Sequence, residues 1–351
     1  MKKIIAVLTS LVLLAVSASA ETTKTTANQF ALSLSNETIS FISEHNIDKN
    51  TLTSLEQSLK DSTNSIKLGT LEETLHSIKA QAENYNFTTE QIAQYIEGLI
   101  STPTTIVTNN NTNVASSTDF PISTTRPVNE KGIGYEVESL SGYYEETAFL
   151  QLPEVYKATP NGTSAYMFYT VATANESYGV DIGLWYGYGA GGYGWRSFQT
   201  IDHVQTAKSA LLNVDSGDVL YLQGTIVYGD DGKTYVRCRI LNGNNFSDVK
   251  SSFCVEVNSQ KINKTNSLFV RQIMLCNDNA NFNTGEYLHN ARFYNAYIYQ
   301  PVGYGELVST SNTSSSECGA FGTLADPDNV YKVTINDHEE WWEENISIHF
   351  N

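Results

Sequence analysis

The sequence predicts a mainly β protein in which two antiparallel sheets form a sandwich, preceded by a small N-terminal α-helical region. Up to about residue 100, apolar residues recur every three or four positions, which is typical of amphipathic helices. Beyond about residue 119, short segments rich in Tyr, Val, Ile, Phe and Thr follow one another. Because no long helical pattern separates them, these segments are expected to be antiparallel strands in packed sheets.

Residues 1–20 have the pattern of a secretory signal peptide. Lys2 and Lys3 precede an apolar run from Ile4 to Val16, and small residues follow it. Of the 38 acidic and 21 basic residues in the chain, removal of this segment leaves 38 against 19, a net charge of −19. Such a charge argues against DNA, RNA and anionic membranes as partners. We expect a secreted or extracellular protein, free or cell-surface associated, with no membrane span.

The helical region is expected over residues 21–100. Thr70 with Glu73, and Thr88 with Gln91, have the spacing of capping boxes, in which a side chain on each side satisfies a free backbone N–H. Each pair precedes a stripe of apolar residues at helical spacing. Two helices are therefore expected to begin at these threonines, after two shorter ones.

The rest of the chain divides into three further segments. Residues 101–118 are rich in Ser, Thr and Asn and are expected to be a disordered linker. A β-sandwich domain is expected over residues 119–308, and residues 309–351 are expected to be a polar segment followed by an acidic C-terminal β-hairpin. The clearest strand patterns cover residues 166–173, 178–186, 195–201, 219–228, 234–241, 253–257, 268–276 and 291–299.

No catalytic constellation is evident. The sequence lacks GxSxG, HExxH and P-loop motifs, and it has no GxGxxG motif that opens a helix. His203 follows Asp202, but a lone loop histidine is more often a surface residue than a catalytic base. The adjacent acids Glu145 and Glu146 would point to opposite faces of a strand, whereas glycoside cleavage needs two carboxyl groups converging on one bond. The catalytic residues stay unknown, and the sequence favours a protein that is not an enzyme.

The segment that joins two of the predicted strands consists almost entirely of Gly, Tyr and Trp. Glycine removes bulk, so such a loop can present flat rings that stack on the apolar face of a sugar. Asp181 shares a strand face with the first ring of the segment, where it can accept sugar hydroxyls. Alternatively, the two tryptophans fill the core or cover a sheet edge. The predicted ligand-binding residues are Asp181, Trp185, Tyr188, Tyr193 and Trp195.

Two other polar features suggest binding sites. Arg237 and Arg239 should point away from the core, where they would hold an acidic sugar or pair with neighbouring acids. Residues 277–283 form an oxygen-rich loop that suits structural calcium, although it supplies only one carboxylate before Glu286. No cofactor is expected, and structural calcium is kept as an alternative.

Four cysteines lie in the last third of the chain. An even number in an exported protein permits two disulfides, and the spacing matches no zinc site. The alternative is an ordinary buried thiol, because Cys238 lies on the apolar side of its strand. The disulfide candidates are Cys238, Cys254, Cys276 and Cys318.

Residues 285–296, GEYLHNARFYNA, resemble the closing strand of concanavalin-like and laminin-G-like sandwiches, in which an alternating strand ends with an Arg-aromatic-Tyr-Asn pattern. The resemblance implies a concanavalin-like jelly-roll sandwich, an architecture that includes lectin-like modules, glycanases and polysaccharide lyases. Residues 294–300 and Gln272-Ile273 resemble segments of the lyase branch. However, Met274 stands where that branch would have its catalytic histidine.

Three functions are compatible with these features. The first is a secreted glycan-binding or adhesion protein whose partner is a polysaccharide or cell-surface glycan. The second is an envelope or matrix protein whose helical region docks a protein partner, without a carbohydrate ligand. The third is a polysaccharide-degrading enzyme, either a lyase or a glycoside hydrolase. The aromatic segment, with no catalytic set beside it, favours the first.

Overall fold

The structure, a computed structural model, describes residues 34–60, 65–107, 122–123, 131–156, 163–189, 191–202, 205–277, 281–301, 305–321, 331–339 and 341–351. The predicted signal peptide, most of the predicted linker and His203 lie outside these ranges. Two antiparallel-rich sheets pack face to face behind an N-terminal helical region, which confirms the predicted fold class. No helix among the described residues is long and apolar enough to cross a lipid bilayer.

Four helices form the N-terminal region, and both predicted capping boxes are present. The Thr70 hydroxyl accepts from the Glu73 N–H at 3.1 Å, and the Glu73 carboxylate accepts from the Thr70 N–H at 3.0 Å. Thr88 and Gln91 repeat the arrangement. The helices are α1 (Asn36–Glu44), α2 (Lys49–Ser58), α3 (Leu71–Tyr85) and α4 (Thr89–Ser101).

Eighteen strands are present in the described residues, and they include all eight segments with the clearest strand patterns. The strands are β1 (Thr105–Val107), β2 (Ile122–Ser123), β3 (Lys131–Ser139), β4 (Glu145–Gln151), β5 (Glu154–Tyr156), β6 (Thr163–Thr173), β7 (Gly179–Gly189), β8 (Gly192–Ile201), β9 (Gln205–Lys208), β10 (Val219–Tyr228), β11 (Thr234–Asn242), β12 (Asn245–Val257), β13 (Ser267–Asn277), β14 (Tyr287–Tyr299), β15 (Gly305–Leu307), β16 (Thr313–Phe321), β17 (Tyr331–Glu339) and β18 (Glu343–Phe350).

The strands form two sheets. The first sheet has the order β1-β12-β11-β10-β4-β14-β18-β17, with β5 and β15 also pairing with β14. The second sheet has the order β16-β3-β13-β6-β7-β8-β9-β2. The predicted C-terminal hairpin is present as β17 and β18, and it extends the first sheet beside β14. Strand β1 lies within the predicted linker and pairs in parallel with β12.

The space between the sheets is filled by alternate residues of both, and this is the main hydrophobic core. Arg271, Glu146 and Glu344 are buried in it. Arg271 of β13 donates to Glu146 of β4 and to Glu344 of β18, so one guanidinium joins the second sheet to two strands of the first. The ion pairs satisfy charges that would otherwise be unpaired inside the sandwich.

The helices pack on the outer face of the first sheet through an aromatic cluster. The Tyr85 ring meets the rings of Phe149 and Tyr221 edge to face, at centroid distances of 5.4 and 5.6 Å. Gly98 lies against the carbonyl of Phe246, an approach too close for a Cβ. The apolar stripe of the helical region is therefore buried against the sandwich.

Candidate functional site

The predicted ligand-binding residues lie on one long hairpin rather than in a loop between strands. Strands β7 and β8 pair up to Gly189 and Gly192, and Tyr188 lies directly opposite Tyr193. Because strand side chains alternate between faces up to this point, the hairpin divides the predicted residues into two groups. Two of them lie on the outer face of the second sheet, and the other three lie on the side that faces the core.

Asp181 lies on the outer face and takes part in a hydrogen-bonded chain across three strands. The Thr170 hydroxyl donates to its carboxylate at 2.7 Å, and the Gln272 side-chain amide donates to the Thr170 hydroxyl oxygen at 3.2 Å. The Asp181 side chain is buried. At least one of its oxygens is therefore engaged by the protein itself.

Trp185 also lies on the outer face, but its ring is covered. The indole rests against Gly187, where a Cβ would collide with it, and the Lys208 ammonium lies over the ring at 3.5 Å from its centroid. Its Nε1 has no hydrogen-bond partner among the described residues. In this arrangement Trp185 binds a cation and presents no open face to a sugar.

Arg196 explains the glycines of this segment. Its guanidinium donates to the carbonyls of Gly187 and Gly192, each at 3.0 Å, and to that of Gly194 at 3.3 Å. A Cβ on Gly189 would also crowd this guanidinium. The glycines therefore lie on the outer face, where they leave room for the Arg196 guanidinium. This guanidinium hydrogen-bonds to backbone carbonyls of both strands.

The tyrosines lie on the other side of the hairpin and lead from the core to solvent. Trp195 is only 2% exposed and packs in the main core, with its ring 5.3 Å from that of Tyr186. Tyr186 in turn stacks with Tyr193 at 6.5 Å. Tyr193 and Tyr188 follow with a centroid distance of 5.2 Å, and they are 37% and 58% exposed. Trp195 is thus a core residue and cannot reach an external ligand in this structure.

An exposed apolar residue from another segment lies beside the turn. Leu211 is partly exposed, and its side chain covers the positions where a Cβ would project from Gly191 and Gly194. Tyr188 and Tyr193 form an exposed patch at the tip of the hairpin, called the hairpin patch below. The strand patterns did not indicate Leu211, because it lies outside any regular element.

An acidic side chain lies near the hairpin patch. Burial raises the pKa of Tyr193, and the charge of the Glu286 carboxylate raises it further. Glu286 immediately precedes β14 and is fully buried. The end of the sandwich thus places exposed rings close to a carboxylate held inside the protein.

Arg237 and Arg239 do not face solvent. Both are buried on the outer face of the first sheet, underneath the helices. Burial, followed by repulsion from Arg237, lowers the pKa of Arg239 to about 10. The expectation that they hold an acidic ligand at an open surface is therefore not met in this structure.

Glu145 forms a buried polar network at the same interface. Its carboxylate accepts from the Gln81 and Gln223 amides at 2.6 and 3.1 Å and from the Ser77 hydroxyl at 3.1 Å. Burial raises its pKa. A cavity of ≈ 20 Å³ adjoins this network, a volume that suits one water molecule. No sequence pattern indicates this network, because the helix residues Ser77 and Gln81 resemble ordinary surface positions.

The two adjacent acids do point to opposite faces, as expected, but both faces are buried. Glu145 faces the helices, whereas Glu146 faces the core and binds Arg271.

Within the described ranges, no group of three or more His, Cys, Asp and Glu side chains is arranged to hold a metal ion.

Three of the cysteines are buried thiols rather than disulfide partners. Cys238 faces the main core, Cys254 lies on the outer face of the first sheet, and Cys276 lies on the outer face of the second sheet. A disulfide requires Cα atoms within about 7 Å and converging side chains, which these three separate environments prevent. These three residues therefore form no disulfide with one another in this structure, and the Cys318 side chain lies outside the described part of the chain.

Comparisons with known proteins give distant structural similarity alone. No family model matches the sequence, and no curated protein matches it. The chain is similar to two crystal structures of scytalido-glutamic peptidase, one with a transition state analog inhibitor (TM-score 0.39) and one with a peptide based transition state analog (TM-score 0.38). It is also similar to SCP-B, a member of the Eqolisin family of peptidases, in complex with the tripeptide Ala-Ile-His (TM-score 0.37). Each is 10% identical and covers 63% of this chain and 98% of its own. These similarities are too distant to carry an argument about function.

Proposed function

We propose that this protein is an exported glycan-binding protein whose sandwich binds carbohydrate at the hairpin patch. The observation that carries the proposal is the exposure of Tyr188 and Tyr193 at the end of a row of rings that is otherwise packed. Rings fixed from behind in this way lose little conformational entropy when a ligand stacks on them. The site therefore has the rigidity that weak sugar stacking requires.

The chemistry of the patch suits a neutral glycan. A tyrosine ring packs against the apolar face of a pyranose, while its hydroxyl exchanges hydrogen bonds with sugar hydroxyls. The net charge of −19 expected for the exported chain disfavours sulfated or uronic acid polymers, since like charges repel over the surface.

The proposal includes a concanavalin-like classification of the sandwich. It is supported by the position of the Arg-aromatic-Tyr pattern, since Arg292, Phe293 and Tyr294 lie on β14 in the interior of the first sheet. In this position Phe293 packs in the core, while Tyr294 stacks with Phe149 on the helix side.

Affinity electrophoresis of residues 21–351 through gels that contain different polysaccharides tests the proposal. We expect one class of neutral polysaccharide to retard the protein. The double variant Tyr188→Ala/Tyr193→Ala should migrate as in a gel without polysaccharide. Tyr156→Ala is the matched control, because Tyr156 is an equally exposed tyrosine on the edge strand β5.

Three outcomes decide the matter. Retardation that is lost in the double variant and kept in the control supports a glycan site at the hairpin patch, provided that thermal unfolding shows all proteins folded. Unchanged retardation of the double variant would exclude the patch. Uniform mobility of the wild-type protein across the panel would overturn glycan binding itself.

A further inference from the structure

Two buried arginines lie between the helical region and the first sheet. Arg237 and Arg239 are two residues apart on β11, so both side chains point to the outer face of the sheet, which the helices cover. They are only 4% and 5% exposed. Among the described residues, neither guanidinium has a hydrogen-bond acceptor or forms an ion pair. These buried cations therefore need a partner that the described part of the chain does not supply.

A change of protonation does not remove this need. A guanidinium keeps its proton in proteins. Arg239 stays charged at neutral pH, because its pKa, although lowered by burial and by Arg237, is still about 10. Burying a charge without a partner is costly, so the positive charge has to be compensated by another group.

The neighbouring carboxyl groups do not balance the positive charge. Beside Arg237 lies the cavity of ≈ 20 Å³, which Glu73, Glu145 and Lys264 also line. Glu73 pairs with Lys264 at 2.7 Å. With Arg239 included, three cations stand against at most two carboxylates, so at least one positive charge is left over. Burial raises the pKa of Glu145, and its protonated form leaves still more positive charge.

The same cavity is lined by a second polar group without a partner. Thr225 lies on β10 directly opposite Arg237 on one side and Glu145 on the other. Its buried hydroxyl and the Arg237 Nε–H both have no hydrogen-bond partner among the described residues. The Glu145 carboxylate does not serve either donor, because it accepts from side chains of α3 and from Gln223 instead. Two donors at one cavity thus lack an acceptor.

From this arrangement we infer that a chloride ion, or a monovalent inorganic anion of similar size, binds between Arg237 and Thr225. The ion accepts from the guanidinium and from the hydroxyl, and it compensates the charge to which Arg239 contributes. A water molecule needs about 10–15 Å³ of cavity volume. The cavity of ≈ 20 Å³ therefore admits one small ion and excludes organic anions. Because α3 lines one side of the cavity and β10 and β11 line the other, the ion stabilises the attachment of the helical region to the sandwich.

Thermal unfolding of residues 21–351 in different sodium salts at equal ionic strength tests this inference. Replacement of gluconate by chloride should raise the unfolding midpoint in a saturable manner, since a ligand of the folded state stabilises it by mass action. Bromide should act like chloride, because it has the same charge and a similar size, whereas gluconate is too large for the cavity. Equal ionic strength keeps the screening of surface charges constant.

Two cavity variants and one control locate the ion. Arg237→Gln should weaken chloride binding about ten-fold or more, because it removes a charge-assisted hydrogen bond. Thr225→Val keeps the shape of the side chain and removes only the hydroxyl, so it should weaken chloride binding by a smaller factor. Arg292→Gln is the matched control, because it removes an arginine whose side chain is 38% exposed, and its chloride dependence should equal that of the wild-type protein.

The wild-type measurement needs no variant, and Thr225→Val serves if Arg237→Gln does not fold. Equal wild-type midpoints in chloride, bromide and gluconate would overturn the inference and would indicate that water alone occupies the cavity. The same chloride dependence in the wild-type protein and in the cavity variants would place the ion elsewhere, and this too would overturn the inference.

Discussion

Arg271 and Glu344 form an ion pair in the middle of the sandwich, with Nε donating to Oε1 at 2.6 Å. Both side chains are 1% exposed, and the two residues belong to different sheets. Arg271 also donates from Nη1 to Glu146 at 2.6 Å. A single guanidinium therefore pairs with two buried carboxyl groups, and its one positive charge balances the charge of only one of them.

Arg271→Met should destabilise the fold strongly. Breaking a buried pair leaves uncompensated charges, which costs about 3–5 kcal/mol in the free energy of unfolding. Arg292→Met is the matched control, because Arg292 is 38% exposed and a surface pair contributes about 1 kcal/mol or less. Urea denaturation measures both differences. Equal losses in the free energy of unfolding would show that the buried pair stabilises the fold no more than the exposed one does.

The stability of the protein should fall as pH rises through the weakly acidic range. Burial raises the pKa of Glu146 from 4.5 to about 7, against the opposing effect of Arg271. The folded state therefore holds the proton more tightly than the unfolded state does. The stabilisation from this group is fully present below pH 4.5 and is lost as pH rises through about 7.

The size of this effect is about 3 kcal/mol across the window, since each pKa unit corresponds to about 1.4 kcal/mol. Urea denaturation at a series of pH values should show the decline in the wild-type protein and a shallower one in Glu146→Gln. Burial also raises the pKa of Glu145, so the free energy of unfolding of Glu145→Gln/Glu146→Gln should depend on pH even less. A wild-type stability that rises over this interval would contradict the prediction.

Much of the local structure was predictable, because its signals lie in neighbouring residues. Thr70 and Thr88 each form a capping box with a residue three positions later, which indicates where a helix begins. The strand segments alternate between apolar and polar residues. The hairpin tip carried a signal as well, since glycines and aromatic residues alternate up to the turn. The low strand propensity of glycine obscured it.

The polar interior was not predictable from the sequence. Glu344 and Glu146 lie 73 and 125 residues from Arg271, and no local pattern joins them. Charged residues are normally exposed, so the sequence does not indicate that Arg271 is buried or which acidic residues pair with it. The same applies to Glu145, whose partners come from a helix and from another strand.

Gly98→Ala should destabilise the protein, although alanine is normally the better helix former by about 1 kcal/mol. The added Cβ would collide with the Phe246 carbonyl and press on Val249, so α4 would have to move away from β12. Thermal unfolding gives the sign directly. A gain in stability would show that α4 packs against the sheet less closely than the structure indicates.

The three buried thiols should resist labelling in the native protein. Cys238 faces the main core, and burial raises its pKa, so the reactive thiolate is scarce. A thiol-specific reagent should modify Cys238, Cys254 and Cys276 in urea without prior reduction, and mass spectrometry of peptides identifies each site. Labelling of these three only after treatment with a reductant would show that they form disulfides.

Trp195→Ala and Tyr188→Ala should separate stability from ligand binding. Removing the Trp195 indole leaves a large cavity in the main core, at a cost of about 3–5 kcal/mol. Tyr188 is mostly exposed, so its removal should change the free energy of unfolding by about 0.5 kcal/mol or less. Any loss of polysaccharide retardation in Trp195→Ala should therefore follow its unfolded fraction, whereas the loss in Tyr188→Ala should occur with the protein fully folded. A stable Trp195→Ala that no longer binds would instead place Trp195 in contact with the ligand.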